Sequence, residues 1–497
     1  MSTMKNVPIV KLGVVGVSRD CFPIDLCRRR LAKLMAALKG RDIKAQRCSV
    51  IIETEAHAVA AAAELHEKGC NAAVIFLGNF GPEGPTTIFA QRFGLPVMAC
   101  AAAEENRAVL ANDRGDALCG MLNLSYNLNL RRVAAHIPAY PVGGPEELAE
   151  RIDEFLPIAR VALGLGDVKI FAFGPRPQDF YACNAPLQPL YDLGVEVMEN
   201  SELDLLGVFR RAAEKKREIA ARARDMAREL GTGNTFADLL PKLAQYEVAL
   251  EDYLAANLGS RKYAIFANKC WPAFEPEFGF VPCYINSRLA TRGIPVACET
   301  DIYGVLSEYV VQLASLRPAT LLDINNSVPA DVVGEADLKG AQLRDLFMGF
   351  HCGNTPSCSI LEGQMKYQLI MHRLMEPGQE PNITRGTLEG RLRPGETTIF
   401  RLQSTSDNEL VSYVAEGEIL DVEPYSFGSI GVFAIPNFAR FYRHVLIGWH
   451  FPHHAAIGFA KAGRALYDAM TLLGIERIGV PLPAENLYEG ENPFGSR

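Results

Sequence analysis

The chain lacks several features that would each name a class of protein. No apolar run is long enough, uninterrupted, to span a membrane. There is no block of basic residues, and the net charge of −8 is not the electrostatic footprint of a nucleic-acid binder. Twelve cysteines are present, but none is spaced as CxxC. In a chain of this size that implies reduced, mostly buried thiols and a cytoplasmic setting. The start, MSTMKNVPIVKLGVVGV, has no long apolar core and no cleavage site, so it reads as the lead into a first strand and not as a secretion signal. No GxGxxG follows that strand. GVVGVSRD is a poor substitute, and LGNFGPEGP has the wrong spacing and too much proline. A nucleotide-dependent dehydrogenase is therefore disfavoured. No low-complexity segment appears.

What is present supports large cores. The 497 residues are 48% hydrophobic, enough for two to four domains. Strand and helix patterns alternate from residue 8 to 160. A boundary is expected near Gly164-Leu165-Gly166-Asp167, and Val168-Lys169-Ile170-Phe171-Ala172-Phe173 restarts a sheet. Residues 208–230 and 236–257 read as helices with one highly charged face. After about Gly353 short alternating segments with close turn signals read as antiparallel β structure, a small barrel or sandwich. A helix is expected from Ala455 to Leu473. The fold class expected is α/β: two doubly wound, Rossmann-like α/β domains (1–165 and 166–352), then a C-terminal β-barrel-like domain (353–497) with a terminal helix. Gly94-Leu95-Pro96-Val97-Met98-Ala99-Cys100 and Gly293-Ile294-Pro295-Val296-Ala297-Cys298 echo each other, as two similar α/β domains would.

Two acids stand where apolar runs stop. Gly293 to Cys298 reads as a buried strand, Ile302 to Leu316 as an amphipathic helix, and Thr320-Leu321-Leu322 as a second buried strand. A βαβ unit of this kind has parallel strands, with Glu299 and Asp323 at matched carboxyl ends, on the edge where open α/β sheets bind ligands. Two carboxylates converging there repel each other unless a cation holds them or one carries a proton. The bland alternative is that each acid merely caps a helix or ends a strand. Six of the nine histidines follow residue 350, with His450, His453 and His454 crowded into one stretch. Two carboxylates and one imidazole suit Mn²⁺, Mg²⁺ or Co²⁺ better than a structural zinc site.

These features together resemble a known family. Cys298-Glu299-Thr300-Asp301, Asp323 twenty-four residues after Glu299, His454 leading into the last apolar segment, and Gly174-Pro175-Arg176-Pro177-Gln178-Asp179-Phe180 followed by Leu193-Gly194-Val195-Glu196-Val197 are similar to the L-fucose isomerase and L-arabinose isomerase superfamily, on the fucose isomerase side. The resemblance implies that Glu299, Asp323 and His454 hold a metal, usually Mn²⁺, in a sugar ketol-isomerase. The arabinose branch has a further ligand histidine, and His351, in FHCGNTPSC with Asn354, is the candidate for that place. His453 stands where fucose isomerases have Asn. The resemblance also implies a homo-trimer or homo-hexamer with sites between subunits.

The chemistry fits these residues. Aldose–ketose isomerisation moves a proton between C1 and C2 through an enediol, and Glu299 with Asp323 can serve as ligands and as the acid/base pair. Asp301 is a contact to a ligand or to a substrate hydroxyl, or else a helix cap. Trp271 lies against a sugar face or packs in the core. Arg19 and Glu83 reach a substrate from the first domain or sit in solvated loops. The class left open beside the isomerase is a non-catalytic sugar-binding or sensing protein of two α/β lobes.

Overall fold

The computed structural model describes residues 5–494 apart from 112 and 339. The chain forms two compact units: Pro8–Leu163 with Asp468–Gly474, and the remainder.

The first unit holds a five-stranded parallel sheet in the order β2-β1-β3-β4-β5. Its strands are β1 (Leu12–Val17), β2 (Ala45–Ile52), β3 (Ala72–Leu77), β4 (Val97–Ala102) and β5 (Val142–Gly143). β1, β3 and β4 are buried at every position, which is why they read as continuous apolar runs and not as alternating ones. Helices α1 (Ile24–Gly40), α2 (Glu55–Glu67), α3 (Glu83–Phe93), α4 (Ala117–Leu130) and α5 (Pro145–Leu165) connect and flank the strands. Thr54 caps α2 by accepting from the His57 backbone N–H. Gly120 lets α4 lie on the loop after β3, because a Cβ there would meet the Phe80 carbonyl oxygen at 2.1 Å.

The second unit holds two sheets. The parallel one runs β7-β6-β8-β9, from β6 (Val168–Gly174), β7 (Glu196–Ser201), β8 (Tyr263–Ala267) and β9 (Val296–Ala297). Its helices are α6 (Glu202–Ala212), α7 (Lys216–Leu230), α8 (Leu240–Asn257), α9 (Cys283–Thr291) and α10 (Ile302–Ser315). The chain expected to be helical over 208–230 breaks between α6 and α7. An aromatic core of Phe171, Phe266, Tyr246, Phe274 and Phe278 fills the space beside this sheet.

The last sheet is mixed and mostly antiparallel. Its strands are β10 (Ala319–Asn326), β11 (Leu346–His351), β12 (Ile360–Tyr367), β13 (Arg385–Leu392), β14 (Gly395–Ser404), β15 (Leu410–Ile419), β16 (Ser429–Ala434), β17 (His454–Gly458) and β18 (Arg477–Gly479). Pairing of β15 with β16 closes the ring β16-β11-β10-β17-β14-β15, a barrel whose six contacts are all antiparallel. α11 (Gly463–Leu472) follows β17.

Two expectations are corrected. β10 does not lie beside β9 in a βαβ unit. Among the described residues β9 pairs only with β8, and β10 pairs antiparallel with β11 and β17. A four-residue apolar run fits either arrangement, and burial in the barrel decides between them. Secondly, the segment from residue 455 is a strand before it is a helix. Ala455 to Gly458 pair with Leu322 to Ala319, and the helix begins only at Gly463. α10 crosses from one sheet to the other, and twelve of its residues, Ile302 to Leu313, are buried. A helix apolar on nearly all sides belongs in a core.

Candidate metal centre

The register of the barrel builds half of the site. Asp323 lies within β10, not at its end, directly across from His454, the first residue of β17. Side chains of opposed residues in an antiparallel pair share a face. Asp323 Oδ1 therefore comes to 3.4 Å from His454 Nε2. The parallel sheet brings the other half. Glu299 follows β9, with Glu299 and Thr300 both at positive φ (54° and 56°). Side chains other than Gly, Asn and Asp seldom adopt that region. Three bonds hold the turn: Thr300 N to the Asn268 carbonyl (2.8 Å), Asp301 N to the Cys298 carbonyl (3.0 Å) and Thr300 Oγ1 to the Phe173 carbonyl (3.2 Å). The turn aims Glu299 Oε2 at His454 Nε2, 3.3 Å away. Two donors about 2.1 Å from one ion and at right angles to each other stand about 3 Å apart, so this spacing suits a shared cation.

His454 is held from behind. Its Nδ1 donates to Asp301 Oδ2 at 2.8 Å, and Arg401 grips the same carboxylate with both Nη atoms at 2.6 and 3.0 Å. Asp301 also caps α10 by accepting from Gly304 N, so the helix cap and the bond to His454 share one side chain. With Nδ1 committed as a donor, the neutral ring turns its Nε2 lone pair toward Glu299 and Asp323, the arrangement that orients metal-binding histidines.

His351 has the opposite polarity. Its Nδ1 accepts from the Cys352 backbone N–H at 2.9 Å, so the neutral ring carries its proton on Nε2. That nitrogen faces Glu299 Oε2 at 3.8 Å. In that form the ring offers Nε2–H as a donor.

The charges around the site are unevenly matched. Asp301 and Arg401 neutralise each other. Burial would raise Asp301, but Arg401 and His454 hold it below the usual carboxylate range. Glu308, one face along α10, is pushed far above that range by burial and by the Asp301 charge, so it is neutral. Burial would also raise Glu299, yet its contact with His454 carries it down, so it is ionised. Two carboxylates thus face one imidazole, and Glu299 Oε2 is buried without a hydrogen-bond partner among the described residues. Burial should lower His454, but its hydrogen bond to Asp301 and its contacts with Cys183 and Glu299 raise it well above its ordinary value.

Other groupings of ligand types fit less well. Cys183, Asp301 and His454 lie close together, but burial pushes the Cys183 thiol up to about 12 and Asp301 is spent on Arg401. Cys298, Glu299 and His351 also cluster, but the His351 proton points inward.

The other candidates are placed as follows. His453 stands 3.7 Å from Asp323 Oδ1 and is half-exposed; burial and the neighbouring His454 lower its pKa, so it is neutral. Phe180 packs edge-on to both His453 and Trp271, with ring centroids 5.6 and 6.3 Å away, and tilts over His454. Among the described residues, Trp271 Nε1 is buried and has no hydrogen-bond partner, nor has either polar atom of Asn354, which is 2% exposed. Orphaned buried polar atoms call for a polar ligand or water. His450 is at positive φ in a turn after the barrel's short helices. In the first unit Arg19 lies over the Phe80 ring and 3.9 Å from Glu83, whose carboxylate accepts from Asn123 (2.8 Å) and Asn127 (3.3 Å). Glu83 opens α3, so it is not in a loop. Sequence reading passed over Arg401, Cys183 and Phe180. Arg401 carried a signal: it shares a strand face with Ile399, a core position.

Comparison with known proteins identifies the family. Residues 13–166 match the N-terminal domain of fucose/sulfoquinovose isomerases, and residues 349–479 match the C-terminal domain of L-fucose isomerase. The chain belongs to the fucose/sulfoquinovose isomerase family. Within that family it is 29% identical to the sulfoquinovose isomerase of Clostridium sp. (strain MSTE9) over 315 residues, 60% of this chain and 62% of the relative. It is 27% identical to that of Alkalicoccus urumqiensis over 297 residues, 59% of this chain and 60% of the relative. With the enzyme of Priestia aryabhattai the identity is 25% over 354 residues, 70% of this chain and 73% of the relative. The chain thus spans about three fifths of the length of the first two relatives. Among the described residues no helix is long and apolar enough to cross a membrane.

Proposed function

We propose that the protein is a metal-dependent aldose–ketose isomerase of carbohydrate metabolism, acting on a monosaccharide in the cytoplasm. Sulfoquinovose, the sugar in its relatives' names, is the first substrate to test. One observation carries the reading: Glu299 Oε2 and Asp323 Oδ1, from two different sheets, lie 3.3 and 3.4 Å from the same His454 Nε2, and that glutamate oxygen is buried with no hydrogen-bond partner among the described residues. A divalent ion bound there, Mn²⁺ with Mg²⁺ or Co²⁺ as alternatives, supplies charge that polarises a carbonyl and stabilises an enediol's developing negative charge.

The chain's own residues do the rest. Glu299 and Asp323, as the acid/base pair, take the proton from one of C1 and C2 and return it to the other. Asp301 and Arg401 fix the His454 ring so that its lone pair does not wander. His351 Nε2–H and Asn354 offer hydrogen bonds to sugar oxygens. Phe180 and Trp271 form an apolar wall against the sugar face and exclude water. Arg19 and Glu83 complete a neighbouring chain's site in a homo-trimer or homo-hexamer.

The test is a panel of sulfoquinovose, L-fucose, L-arabinose and D-glucose incubated with purified protein and Mn²⁺, with the ketose followed by NMR. Interconversion of one of them is expected, lost with a chelator and restored by metal. Tight sugar binding with no bound metal and no interconversion would mean a sensor instead.

A further inference from the structure

α4 is apolar on two faces, and only one is covered. Ala117, Met121, Leu124 and Leu128 pack into the first unit's core. A second side, Asn123 and Asn127, holds the Glu83 carboxylate. The remaining side is a ladder at every fourth residue: Leu118, Leu122, Tyr126 and Leu130 are 66%, 68%, 63% and 60% exposed. Residues four apart form the ridge by which helices most often interdigitate.

From this we infer that the α4 ladder is a contact between two copies of this chain, packed ridge against ridge around a two-fold axis, which of the two assemblies named above only the hexamer contains. This deepens the oligomer of the proposed function by naming the surface, and it rests on that reading only for the existence of an assembly.

Charge selects the occupant. No residue of α4, ALCGMLNLSYNLNL, is ionisable at neutral pH. In a two-fold contact a charge on the axis faces its own copy, and a charge off the axis needs an opposite one across the seam; a chargeless face makes neither demand and can pack on a copy of itself. A helix that lies on a membrane carries Lys or Arg on its polar face, and α4 has none. Area is consistent with the centre of an interface. Three leucines at on the order of 100 Å² each and a tyrosine at about 200 Å², about two-thirds exposed, supply roughly 300 Å² of the about 800 Å² that each partner buries in a standard complex. The asparagines and Ser125 provide the polar rim. The contact also places the Glu83 cluster next to the subunit boundary, because Asn123 and Asn127 each follow a ladder residue.

The experiment is sedimentation velocity on full-length protein: wild type, Leu122→Glu/Tyr126→Glu, the uncharged Leu122→Ser/Leu130→Ser, and the control Leu203→Glu. Leu203 is 77% exposed on α6, away from any ladder. The wild type and the control should sediment as one assembly. Both ladder variants should drop to a smaller species, with self-association weakened about 100-fold or more and an unchanged thermal melt by circular dichroism. Ladder variants that keep the wild-type size would overturn the surface while leaving the oligomer standing. A monomeric wild type would overturn both.

Discussion

The two parallel sheets run their strands in the same order, and in each an acid stands two residues past the end of the fourth strand: Glu104 after β4 and Glu299 after β9. Their surroundings differ. Glu104 is met by the Arg30 guanidinium at 2.7 Å and by the backbone N–H groups of Gly115 and Asp116 at 2.8 and 3.2 Å. Glu299 is met by a histidine, and one of its oxygens has no hydrogen-bond partner although it is buried. Glu104 sits in a turn without left-handed residues, whereas Glu299 opens two of them. The same position in the same topology is a structural tie where the protein supplies the counter-charge, and a candidate ligand site where it does not.

Paired substitutions sharpen that contrast. Glu299→Gln keeps the size of the side chain but loses the basic oxygen, so turnover on the true substrate should fall about 10²- to 10⁴-fold. Glu104→Gln should leave turnover within a few-fold and cost about 1–3 kcal/mol of stability, because Arg30 loses its charged partner. Denaturant melts and kinetics on both variants check this; equal losses of turnover would erase the distinction. Next in size is the support behind His454. Asp301→Asn should weaken metal binding about 10- to 100-fold, measured by calorimetric titration, since the ring loses its orienting carboxylate. An unchanged affinity would mean that Asp301 is only a helix cap.

A pH titration probes the same ring. The metal-free His454 holds a proton above its ordinary pKa, so a metal must displace that proton. Metal affinity should therefore rise about tenfold per pH unit up to that elevated pKa and level off above it. An affinity independent of pH from 5 to 8 would contradict the exchange. The smallest effect is expected at His351. His351→Gln keeps a donor near Glu299 and should change metal affinity by no more than a few-fold, while lowering turnover. A loss matching that of His454→Gln would make His351 a ligand after all.

The parallel sheets could be read from the chain because their strands are unbroken apolar runs between turn residues, and α10 because its apolar stripe keeps helical spacing. Glu299, Asp323 and His454 stood out by residue type and by family likeness. What stayed hidden was pairing. Thr320-Leu321-Leu322 suits a parallel neighbour of β9 as well as an antiparallel neighbour of β17, and only closure of the barrel chooses. Ala455-Ala456 favours helix by local propensity, yet becomes strand because β10 and β14 flank it. The polarity of the two histidine rings could not be read at all, since it is set by Asp301 on one side and by the Cys352 backbone on the other.

The central claim is that one divalent ion sits where Glu299, Asp323 and His454 meet. An anomalous-scattering map from crystals grown with Mn²⁺ tests it most directly. The account predicts a single strong peak about 2.0–2.3 Å from Glu299, Asp323 and His454 Nε2, with His351 turned toward Glu299 and not bound. A peak on Cys298 and His351, on Cys183 and Asp301, or no ordered peak at all would contradict it.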